Sequence, residues 1–143
     1  MSAPTSTIQG TAGTASVSGS AADVEAIRET LGHYTEGLRT GGVDRLREGF
    51  HPQSIMCGYL GATPMVTPIQ GLYDFVAAHP APAQTREPSE MTISAVHVSG
   101  STATAEVMEQ AYQGHDFRTS FHLMKLQGRW WITAKLFDGT PRS

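Results

Sequence analysis

Residues 117–137 read FRTSFHLMKLQGRWWITAKLF, and the fold turns on how they divide. Apolar and polar residues alternate with a period of two, as they do in half-buried strands. The spacing predicts one strand over about Phe117–Leu126, a tight turn at Gln127-Gly128, and a second strand over about Arg129–Phe137. Phe117, Thr119, Phe121 and Leu123 fall on one face, and Arg118, Ser120, His122 and Met124 on the other. The first face can pack. The second carries an imidazole in mid-strand, which suits the wall of a pocket.

Working back from this hairpin, Thr102–Gln113 predicts a long strand joined to it by a turn at Gly114-His115, and Met91–Val98 another strand ended by Ser99-Gly100. Ser54–Leu60 and Ala62–Ile69 predict two more, the second held to a sheet edge by Pro64 and Pro68. Near the N-terminus Val24, Ile27, Leu31, Tyr34 and Leu38 are spaced three, four, three and four apart, one stripe of an amphipathic helix. Asp23 can cap its start, and Gly41-Gly42 can end it. Gly32 and Gly37 inside it each cost roughly 1 kcal/mol against Ala, which close packing would offset. Shorter helices are predicted over Val43–Gly49 and Gly71–Ala78, and a loop over the proline-rich stretch His79–Pro88. Residues 1–22 are mostly Ser, Thr, Ala and Gly and predict a disordered tail, so the domain is expected over 23–143. The expected fold class is α+β: a strongly curved, mostly antiparallel sheet wrapped as a cone-like barrel around a long N-terminal helix, with three helices in all.

Composition narrows the function. The chain has 143 residues, enough for one domain, with a net charge of -3 and 10 scattered Lys and Arg. That argues against nucleic acid, which needs clustered positive charge. Cys57 is the lone cysteine, so neither an internal disulfide nor a cysteine-based zinc site is available. No His and carboxylate group shows ligand spacing, and no glycine-rich phosphate loop follows a strand, so neither metal nor cofactor is expected. No apolar run approaches the roughly 18 residues of a membrane helix. Neither a basic n-region nor an apolar h-region opens the chain, so a cytoplasmic protein is expected.

Two stretches carry a family resemblance. Tyr34–Pro52, YTEGLRTGGVDRLREGFHP, is similar to a helix-Gly-helix-Phe-His-Pro pattern, and Gly128–Phe137, GRWWITAKLF, to a Gly-x-Trp-x-Ile-x-x-Lys-x-Phe ending. Both resemble patterns of the nuclear transport factor 2-like superfamily and, within it, of the putative lumazine-binding family; the likeness spans about residues 23–143. It implies a cone-shaped α+β barrel. It implies no single activity, because that superfamily hosts isomerases, dehydratases, polyketide cyclases, epoxide hydrolases and non-catalytic binders. Ketosteroid isomerases share the fold, and alignment with them places Tyr34 on their oxyanion-hole tyrosine, Gly58 on their aspartate base and His122 near their late acid. The base is therefore missing, which argues against an isomerase by that route.

If His122 points into the cone, a turn at Gly114-His115 sets Glu109 opposite Ser120 and Val107 opposite His122. The inner wall would then carry Glu109, Ala111, Arg118, Ser120, His122 and Met124, and the outer wall Met108, Gln110, Tyr112, Phe117, Phe121 and Leu123. Tyr34, Glu109 and His122 are the candidate catalytic residues: His122 as base, Glu109 orienting it, Tyr34 donating to an oxyanion. Met56, Gly58, Arg118, Ser120 and Met124 are candidate ligand contacts. Three readings stay open for the cluster: catalysis, ligand orientation without chemistry, and plain structural satisfaction, with Glu109 paired to Arg118. The expected function is binding of a small molecule in a partly polar conical pocket, or alternatively a lyase or isomerase moving a proton on a small apolar metabolite. Of Trp130 and Trp131 only one can face inward, and the apolar remainder of the outer face predicts a homodimer through the sheet.

Overall fold

A computed structural model describes residues 15–142. In chain order it contains β1 (Ser16–Ser18), α1 (Ala21–Thr40), α2 (Val43–Gly49), β2 (Phe50–Leu60), β3 (Thr63–Pro68), α3 (Gln70–Ala78), the single turn α4 (Pro82–Thr85), β4 (Glu90–Ser99), β5 (Thr102–Tyr112), β6 (His115–Leu126) and β7 (Arg129–Pro141). The strands form one sheet in the order β1-β4-β5-β6-β7-β2-β3. β1 pairs with β4 and β2 with β7 in parallel, and every other pairing is antiparallel. The architecture is the α+β arrangement expected, with a long N-terminal helix packed on a seven-stranded sheet.

The stripe on α1 makes that packing. Val24, Ile27, Leu31, Tyr34 and Leu38 are all buried, and each full burial stabilises by roughly 1.5–3 kcal/mol. They meet Val96, Val107, Phe121, Leu123, Trp130 and Ile132 of the sheet in one core. The cap is Ser20, whose Oγ accepts from the Asp23 N–H at 3.1 Å; Asp23 itself sits inside the first turn. Gly41 ends the helix in the left-handed region at φ 77°. Gly37 lets α2 close in, since a Cβ there would come within 2.7 Å of Leu46 Cγ. Gly32 faces open space, and nothing in the structure explains it.

Part of the segment expected as a tail is built into the fold. Ser16–Ser18 adds a strand beside β4, Ala15 and Val17 are buried, and Ser18 Oγ lies 2.9 Å from His97 Nδ1. Two aliphatic positions in a Ser-rich run suffice because β4 supplies the hydrogen-bonding partner. Residues 1–14 of that segment lie outside the described residues.

Two β-bulges set which residues face α1. The β5–β6 turn is Gln113-Gly114, both at positive φ (49° and 74°), one position earlier than expected. An extra residue then enters β5 between Glu109 and Tyr112, where Ala111 takes φ 59° and its N–H donates to Asp116 Oδ1 at 2.9 Å. A one-residue slip exchanges the two faces of a strand. Glu109 therefore lies opposite Phe117, Glu106 opposite Ser120 and Thr104 opposite His122. A second bulge, at Thr133 on β7, lies between the pairs Leu123–Ile132 and His122–Ala134. It moves the buried positions from Trp130 and Ile132 to Lys135, Phe137 and Gly139.

Candidate functional site

Between α1, α3 and the inner face of the sheet lies a hollow lined by Tyr34, Leu38, Met56, Leu60, Met65, Gly71, Leu72, Phe75, Glu109, Tyr112, Phe117, Lys135 and Phe137. It encloses about 480 Å³, including space open to solvent at its mouth. That is the scale of a pocket for a small organic molecule. The lining is apolar except for the side chains of Tyr34, Tyr112, Glu109 and Lys135.

Tyr34 and Glu109 are joined with Thr119 by hydrogen bonds, and Lys135 stands near them. The Tyr34 hydroxyl donates a short hydrogen bond to Glu109 Oε1, and Thr119 Oγ1 donates to Glu109 Oε2 at 3.1 Å. Lys135 Nζ contacts Met56 Sδ at 3.6 Å and stands 4.6 Å from the centre of the Phe137 ring and 5.6 Å from that of Tyr34. Burial pushes the Glu109 carboxyl above its ordinary value, against the opposing pull of Lys135, Tyr34 and Thr119. Burial likewise lowers the Lys135 amine to about 8, with Glu109 opposing. Tyr34 is held well above an ordinary phenol by burial and then by the Glu109 charge, and burial raises Tyr112 to about 12. Both the acid and the amine are thus pushed toward their uncharged forms.

Of the residues expected at the site, Tyr34, Glu109 and Met56 line this hollow. His122, Ser120, Arg118 and Met124 do not; they stand on the outer face of β6, because the bulge at Ala111 reverses the side of β5 that they share. His122 lies in a shallow outer groove with His97, Thr104 and Thr133, so the pairing of its ring with Tyr34 does not occur. Tyr112, Phe117, Phe121 and Leu123, expected outside, are buried inside. Gly58 lies against the backbone of β7, where any Cβ would collide with the Phe137 carbonyl oxygen, and it takes no part in the lining. Arg118 pairs with Glu106 at 2.9 Å rather than with Glu109. Trp130 is the inward tryptophan, its Nε1 donating to Asp23 Oδ1 at 3.2 Å, while Trp131 lies under the Arg129 guanidinium.

Lys135 and Thr119 are among the site residues that were not anticipated. Lys135 stands in the GRWWITAKLF ending, where it read as part of a fold signature; only the bulge two residues before it turns it inward. Thr119 was visible as the single hydroxyl on an otherwise apolar strand face, and burying it calls for a partner. Among the described residues no cluster of three or more His, Cys, Asp or Glu could hold a metal ion, and no helix is long and apolar enough to cross a membrane.

The family model described as "Putative lumazine-binding" matches residues 22–138. The chain belongs to this family. Its fold is that of the nuclear transport factor 2-like superfamily: an NTF2-like protein of unknown function from Shewanella baltica superposes with a TM-score of 0.77 at 25% identity, covering 87% of this chain and 99% of that one. One from Methylobacillus flagellatus superposes at 0.78 with 26% identity, covering 85% and 94%. Among curated proteins, aldolase FrzH of Cladobotryum sp is 26% identical over 120 residues, 84% of this chain and 94% of that protein.

Proposed function

We propose that this family member binds a small, mostly apolar molecule carrying one carbonyl or hydroxyl oxygen, and that Glu109, with Tyr34 bonded to it, exchanges a proton with that molecule. The observation that carries this is a fully buried carboxyl, bonded to a buried phenol, on the wall of an otherwise apolar hollow. Apolar walls supply affinity, and the few polar groups orient the ligand. A carboxyl raised by burial is poised nearer neutrality, where it can both give and take a proton. Tyr34 is placed to donate to a developing oxyanion once ligand displaces its bond to Glu109.

The aldolase name of the Cladobotryum relative favours lyase-type chemistry within this reading. Aldol chemistry makes or breaks a C–C bond beside a carbonyl, which requires a proton to leave that carbon or return to it. The test is α-hydrogen exchange of phenylacetone in D2O, followed by NMR. Wild type should accelerate exchange, and Glu109→Gln should lose about 10²–10⁴-fold of it. Undiminished exchange in Glu109→Gln would remove the carboxyl from this role; a thermal shift with phenylacetone but no exchange in wild type would leave a binding protein.

The same reading takes a second copy of the chain as partner. Val66 is 84% exposed and Leu136 56%, and with Ile55 and Tyr59 they run across the adjacent strands β3, β2 and β7 on the outer face. A homodimer through this face would cover them. Sedimentation at tens of micromolar should give a dimer that Leu136→Asp dissociates, and a wild-type monomer there would refute the association.

A further inference from the structure

The groups around Lys135 compensate its burial only in part. Its side chain enters the hollow from β7, and among the described residues its only hydrogen-bond partner is the thioether of Met56, a weak acceptor. No carboxylate among the described residues forms an ion pair with it. An ammonium has three donors, and here one meets a thioether while the faces of Phe137 and Tyr34, 4.6 Å and 5.6 Å away, offer the rest of its compensation, so the charged form is left short of hydrogen-bond acceptors. Buried lysines in apolar surroundings serve as nucleophiles toward carbonyl carbon. Here the amine shares its hollow with Glu109 and Tyr34, so an acid and a hydrogen-bond donor stand on the wall that a bound carbonyl oxygen would face.

We propose that Lys135 is a catalytic nucleophile that forms a Schiff base with the carbonyl group of the ligand. The inference rests on the carbonyl-ligand reading above and deepens it by naming the covalent step. The Nζ lone pair forms the C–N bond, and the carbonyl π pair moves to oxygen, which takes a proton from the Glu109–Tyr34 pair. The amine proton returns to that pair, a second protonation releases the oxygen as water, and an iminium remains on Lys135. The balance is one amine, one carbonyl and one proton giving one iminium and one water. No oxidant or reductant is consumed. The iminium then withdraws electrons from the neighbouring carbon, whose proton Glu109 can remove.

The electrostatics agree. At pH 7 an amine near 8 is uncharged about a tenth of the time, against roughly one part in three thousand for a lysine at its reference value. Only the uncharged amine has the lone pair that the step needs.

The sequence holds two lysines, Lys135 and Lys125, and the second is exposed and paired with Asp23 at 3.2 Å, which provides an internal control. The experiment incubates the full chain with benzaldehyde and sodium cyanoborohydride at pH 7 and maps adducts by peptide mass spectrometry, with thermal shift by benzaldehyde measured alongside. The expected result is one benzyl group per chain on Lys135, forming about tenfold or more faster than on Lys125, and no such adduct in Lys135→Met. Should Lys135→Met fail to fold, Lys125→Arg leaves Lys135 as the sole lysine and should label as wild type does. A benzaldehyde thermal shift with labelling confined to Lys125 overturns the Schiff base while leaving the binding reading standing. Neither shift nor adduct overturns both.

Discussion

Glu106 and Glu109 lie three residues apart on β5 and occupy different media. Glu106 faces outward and takes an ordinary ion pair with Arg118 on the next strand at 2.9 Å. Glu109 faces inward, accepts from a phenol and a threonine, and shares its hollow with an amine that makes no salt bridge among the described residues. Water and a guanidinium screen the outer carboxylate, so the pair is worth little and constrains little. Inside, neither charge is well compensated, and both groups are driven toward neutrality. One strand thus carries a carboxylate paired at the surface and another buried in the hollow, and plain alternation over three residues in unbroken register is enough to separate them.

That contrast can be broken from either side. The largest effect on stability is expected from Lys135→Met, which replaces a buried amine with an apolar side chain of similar length. Replacing buried ion pairs by apolar residues is neutral or stabilising by about 1–4 kcal/mol; a gain in that range is expected here, with Glu109 left as the neutral acid. The pH dependence gives the sign. The folded chain holds the Lys135 proton less tightly than the unfolded chain does, about 8 against 10.5. The unfolded state therefore binds more protons between those values, and wild-type stability from this group rises with pH across that window. The advantage of Lys135→Met should be greatest below pH 8 and shrink toward pH 9.5, by urea denaturation at both ends. An advantage constant with pH would mean that the amine is charged in the fold.

Tyr34→Phe should come next. It strips one donor from Glu109 and leaves that carboxyl less satisfied, a loss of about 1–3 kcal/mol by the same measurement. Thr119→Val keeps the shape and removes the second donor, for about 1 kcal/mol. At the far end, Arg118→Ala should change stability by no more than about 0.5 kcal/mol and leave phenylacetone exchange unaltered. An exchange defect in Arg118→Ala would erase the distinction between the two faces.

The elements were legible in the sequence because each is written in a local period: three and four along α1, two along the hairpin, with prolines marking the sheet edge. The facing of the pocket was less so, because facing is a matter of phase, and phase is lost at every bulge. Phe117, Thr119, Phe121 and Leu123 were recognisably the packing face, yet pairing counted from the turn put them outside. Ala111 at φ 59° carries no glycine to announce the irregularity. Lys135 was hidden for the same reason: without the bulge at Thr133, strict alternation from Trp130 and Ile132 would turn it outward. Tyr34 was accessible because it belongs to the helix stripe, whereas Glu109 was reached by two errors that cancelled: His122 taken as inward and the bulge at Ala111 left uncounted.

The short strand β1 has a consequence for anyone who trims the chain. The family match begins at residue 22, beyond Ser16–Ser18. A version cut there would strip Val17 from the core and leave the backbone donors and acceptors of β4 along Ala95–His97 without their parallel neighbour. An open sheet border of that kind templates pairing between molecules. Poor solubility of the shortened protein would then report a missing border strand rather than a defective pocket.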